Sequence, residues 1–125
     1  FLSCVLVVRD DFIRDHPDKV QEMINGIAQS GLWLDKSMDN RMKASVAVAE
    51  SYYNQDPRLL RFVLSKPPDR VSYTKLRLVR KDFEEIERLA LKMGILDGPI
   101  AFEEYTDTRF SENTTDIGPY PWEAP

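Results

Sequence analysis

Phe1-Leu2-Ser3-Cys4-Val5-Leu6-Val7-Val8-Arg9 opens the chain, and its reading decides the fold. An unbroken run of Leu and Val without polar alternation suits a strand covered on both faces, the pattern of a central parallel strand. Such a strand needs neighbours, and the other extended candidate is the short Arg70-Val71-Ser72-Tyr73. The expected fold is therefore an α/β fragment, mostly helical, with one main buried strand over residues 2–8 and about five helices packed on it. No Met, leader or turn precedes the run, so its sheet partners are expected in an N-terminal part of a longer protein. Left with a bare edge, the strand of residues 2–8 would pair with a second copy, making a homodimer the expected oligomer.

Downstream the pattern turns helical. Asp10 is placed to cap a short turn through Ile13, with Asp11 near its positive end. His16-Pro17-Asp18 breaks that turn and starts a long helix from about Pro17 to Lys36. Its apolar positions Val20, Met23, Ile24, Ile27, Gly31 and Leu34 share one face at 3.6 residues per turn. Gly26 and Gly31 inside it each cost roughly 1 kcal/mol in propensity, which close approach of another backbone would explain. Asp39 opens a helix with the face Met42, Val46, Ala49 and Tyr53, ending near Asn54. Asp56-Pro57 launches a shorter one through Leu59, Leu60, Val63 and Leu64, stopped by Lys66-Pro67-Pro68. The last full helix runs from about Lys81 to Met93 with Gly94 as its stop, and residues 102–105 suit one further turn. Residues 1–110 thus form the structured segment. Residues 111–125 read as an irregular tail, in which Trp122 either docks or lies free.

The chain has 125 residues, with 17 Lys and Arg against 21 Asp and Glu, a net charge of −4. Basic residues are interspersed with acids rather than gathered, so nucleic acid is not an expected partner. No window reaches the ~20 apolar residues of a membrane-spanning helix, so an integral membrane protein is not expected. One cysteine and one histidine cannot build a zinc site, and the glycines form no phosphate-cradling loop. Cys4 reads as a small buried hydrophobe and His16 as a turn or cap residue. The carboxylate pairs Asp10-Asp11, Glu84-Glu85 and Glu103-Glu104 sit where helix dipoles and solvated faces already favour acids. Tyr52-Tyr53 and Trp33 could line a cleft, but Tyr53 falls on its helix's apolar face and Trp33 stands beside Leu32 and Leu34, so these two read first as core. No catalytic residue, metal or cofactor is expected, and the chain is not read as an enzyme.

The phrase Val7-Val8-Arg9-Asp10-Asp11-Phe12, then His16-Pro17-Asp18 and a long helix, resembles part of the periplasmic substrate-binding proteins of ABC importers in the nitrate, sulfonate, taurine and thiamine-precursor group. Arg70-Val71-Ser72-Tyr73 with Leu76-Arg77, the helix from Asp82 to Met93 and Gly94-Ile95-Leu96 are similar to that family's C-terminal end. The resemblance implies a C-terminal piece of a type 2 periplasmic-binding-protein lobe. It implies further that the parent captures a small solute outside the cytoplasm, in the periplasm or an equivalent compartment, and delivers it to an ABC permease. Two α/β lobes close on the ligand in that family, and most contacts come from parts outside this chain. Ser3, near the crossover end of the strand, is the one ligand-binding candidate carried over. The same fold hosts enzymes of thiamine-pyrimidine synthesis, but those rely on a histidine and a cysteine-rich stretch, and Cys4 stands alone. A helical protein-interaction domain is the third alternative.

Overall fold

In a computed structural model that describes residues 4–65, 71–74 and 76–114, with backbone only for Glu50 and Tyr53, the protein is built from helices. They are α1 (Asp10–Asp15), α2 (Pro17–Lys36), α3 (Met38–Val48, continued by a π-helical turn Ala49–Tyr53), α4 (Pro57–Ser65), α5 (Arg80–Lys92), α6 (Phe102–Tyr105) and α7 (Arg109–Glu112). Among the described residues there is no β-strand. This overturns the α/β expectation and with it the buried strand and the type 2 lobe. Residues 4–9 run without regular structure; Val5 and Leu6 are each half exposed and Val7 is 84% exposed. Cys4, read as buried, is exposed as well. The physical reason is pairing. A strand's amides and carbonyls need a partner ladder. No described segment supplies one, and the Arg9 carbonyl instead accepts the Ile13 N–H at 3.0 Å to start α1. Residues 71–73 also form no strand, while Arg70, Leu2 and Ser3 lie outside the described residues.

The helix boundaries follow local chemistry. Arg9, not Asp10, is the N-cap of α1, so Asp10 and Asp11 both fall in its first turn. His16 ends α1 with its ring 5.0 Å from that of Phe12, and its carbonyl accepts from Lys19 and Val20 at the start of α2. Pro17 is the first residue of α2, where a missing N–H costs nothing. Ser37, rather than Asp39, caps α3, its hydroxyl accepting the Asn40 N–H at 3.1 Å. Replacing Ser37 with alanine is expected to cost about 1 kcal/mol, read as a lower denaturation midpoint. Asn54 leaves the π-helical turn in the left-handed region (φ 46°), a conformation asparagine tolerates. The Asp56 carboxylate accepts the Arg58 N–H at 2.8 Å as α4 begins. Gly94 follows α5 at φ 68°, so the expected stop acts through a left-handed backbone.

The described residues divide into two compact units, 4–22 with 77–114, and 23–65 with 71–74 and 76. In the first, Val20, Phe102 and Phe110 are buried, and the Phe83, Phe102 and Tyr105 rings meet at centroid separations of 5.3–5.9 Å. The Gln21 side-chain amide donates to the Phe110 carbonyl at 2.9 Å, tying α7 to α2 within that unit. In the second, Trp33 and Ala49 are buried beside polar Asn25, Gln29, Arg41 and Ser45.

Two helix faces differ from the periodicity. On α3 and its π-helical turn the buried positions are Arg41, Ser45 and Ala49, while Val46 is exposed. Ala49 is covered as read in the sequence, but Arg41 and Ser45 are buried in place of their neighbours Met42 and Val46. On α2, Val20 and Gly31 are buried as expected, but Met23 and Ile27 are exposed and Asn25 and Gln29 are covered. Trp122 and residues 115–125 lie outside the described residues, as do the prolines after α4.

Candidate functional site

Among the described residues, several polar side chains converge in the second unit, where α2 ends. Asp35 and Arg41 form an ion pair whose side chains keep only 15% and 10% of their area exposed. One Asp35 oxygen takes the Arg41 guanidinium; the other accepts the Tyr73 backbone N–H at 2.9 Å and the Ser72 hydroxyl at 3.4 Å. Arg41 also donates from Nε to the Leu34 carbonyl at 3.3 Å and lies over the Tyr73 ring, 5.4 Å from its centroid. The Asn40 amide donates to the Trp33 carbonyl at 2.7 Å, so two end carbonyls of α2 are met by α3 side chains. Unpaired end carbonyls are the standing cost of a helix C-terminus, and a Gly cap is absent here.

The electrostatics follow from that shell. Burial pushes the Asp35 carboxyl up, but hydrogen bonds from Thr74, the Tyr73 amide and Arg41, with the Arg41 charge, hold it net below the ordinary carboxylate range. Both oxygens are engaged by protein donors, so the group is a closed latch on residues 72–74 and not a base presented to a substrate. Gly31 completes it. A Cβ at that position would overlap the Tyr73 carbonyl oxygen and stand 3.0 Å from its carbon, so the segment runs directly across the helix backbone. Close approach was expected of Gly31 from the sequence; the latch itself was not. Asp35 and Tyr73 are 38 residues apart, and no short-range pattern links them.

The first unit offers an open groove of about 190 Å³ lined by Phe83, Ile86, Ala90, Leu96, Ile100 and Tyr105. Its one carboxylate, Glu87, is taken by the Ile100 N–H at 2.6 Å. Arg80 is paired with Glu103 and lies 4.7 Å from the Phe102 ring centroid. A second groove of about 250 Å³ lies in the other unit, between Met42, Ser45 and Val46 on α3 and Pro57, Arg58 and Arg61 on α4. There Arg58 pairs with Asp56 at 3.0 Å.

The residues singled out in the sequence do not converge. Ser3 lies outside the described residues, His16 serves the α1–α2 junction, Trp33 is core and Tyr52 is 80% exposed. Asp11, Asp56 and Asp107 are each held below the usual carboxylate range, first by a hydrogen bond from the arginine two residues away. Glu84 and Glu85 are exposed on α5. Among the described residues no three His, Cys, Asp or Glu side chains gather as a metal site, and no helix is long and apolar enough to cross a membrane. No protein-family model, curated protein or solved structure matches the chain.

Proposed function

We propose that the protein takes part in solute capture for an ABC importer, on the extracytoplasmic side, with a small anion, sulfonate or thiamine precursor as its cargo. The observation that carries the reading is segment order: Val7-Val8-Arg9-Asp10-Asp11-Phe12, the His16-Pro17 break, a long helix, and a late helix closed by Gly94. The helix boundaries support it, since α1 begins at Asp10, α2 at Pro17, and α5 ends two residues before Gly94. Exposed Val5, Leu6 and Val7 support it too, because apolar runs left open to water mark surfaces that a larger assembly covers. Both grooves are lined largely by apolar groups, so in this reading the described residues supply packing and the solute is held elsewhere in the protein.

Calorimetric titration of the full-length protein with nitrate, sulfonates, taurine and pyrimidines tests the reading. The expected result is saturable one-site binding of one class in the micromolar range, about −8 kcal/mol. No binding of any class contradicts it, and turnover of a pyrimidine precursor would favour the enzyme alternative. Exposed Leu59 and Phe62 on α4 favour a second reading, a helical domain that binds a protein partner.

A further inference from the structure

We draw no further inference here: the strongest candidate, the open apolar groove between α5 and residues 96–105 lined by Phe83, Ile86, Ala90, Ile100 and Tyr105, is an unpartnered apolar face, and nothing in the structure shows what covers it.

Discussion

Replacing Gly31 with alanine is expected to destabilise the protein by about 2–4 kcal/mol, a large share of the 5–15 kcal/mol that holds a typical domain together. On propensity alone the change should help, since alanine gains roughly 0.5–1 kcal/mol over glycine inside a helix. Sterics decide the sign. The added methyl would overlap the Tyr73 carbonyl oxygen and sit 3.2 Å from Leu76 Cδ1. A backbone carbonyl cannot swing aside as a flexible side chain does. Residues 72–74 would have to lift from α2, and the Tyr73 N–H would then leave Asp35. Denaturant unfolding followed by circular dichroism measures the loss. Two comparisons isolate its cause. Gly98→Ala meets nothing within 4 Å and should be nearly neutral. Gly94→Ala also meets nothing, but its φ of 68° should cost about 1 kcal/mol. A Gly31→Ala protein as stable as the parent would show that residues 72–74 do not cross the helix there.

Asp35→Ala carries the second large effect, an expected loss of about 3 kcal/mol, because it strips a buried guanidinium of its facing carboxylate. Arg41 keeps its bond to the Leu34 carbonyl and its place over Tyr73, so the helix end persists while the charge is left poorly compensated. Changing both residues together, Asp35→Leu with Arg41→Met, should recover only part of the loss: the uncompensated charge is gone, but the Tyr73 N–H and the Leu34 carbonyl still lose their partners. The double-mutant cycle gives their coupling directly. The pH dependence has a definite sign. The folded-state pKa of Asp35 is depressed, so its contribution is present above the unfolded value near 4 and is lost as pH falls through the lower folded value. Unfolding midpoints from pH 7 down to about 2.5 should fall more steeply below pH 4 in the parent than in Asp35→Asn. Parallel curves would place Asp35 outside any special environment.

Most helix starts and stops are legible because they are local, although the caps of α1 and α3 fall at Arg9 and Ser37 rather than at Asp10 and Asp39. Pro17, Asp56-Pro57 and Gly94 act within a turn of where they stand, through a missing N–H, a capping carboxylate and a left-handed backbone. Burial was less legible. The α3 face differs at Met42 and Val46 because it covers Arg41 and Ser45, whose hydrogen bonds rather than apolarity license their burial. Asn25 and Gln29 on α2 are likewise polar and buried, which a count of apolar positions does not signal. The opening run misled for a different reason. Unbroken Val and Leu report a demand for cover, but periodicity cannot say what provides it, and a strand exists only where a second backbone answers it. Of the latch, only Gly31 showed in advance, since its partners Asp35, Arg41 and Tyr73 belong to three separate segments joined by tertiary contacts. The Ser3 ligand contact rested on the resemblance and not on spacing.

Native-state hydrogen exchange tests most directly the claim that the second unit is pinned by Asp35 on residues 72–74 while residues 5–7 join no described strand ladder. The expected result is a slowly exchanging Tyr73 amide, bound to Asp35 at 2.9 Å, together with fast exchange at Val5, Leu6 and Val7. Protected amides through residues 5–7 with a rapidly exchanging Tyr73 would contradict it, restoring a paired opening strand and dissolving the latch.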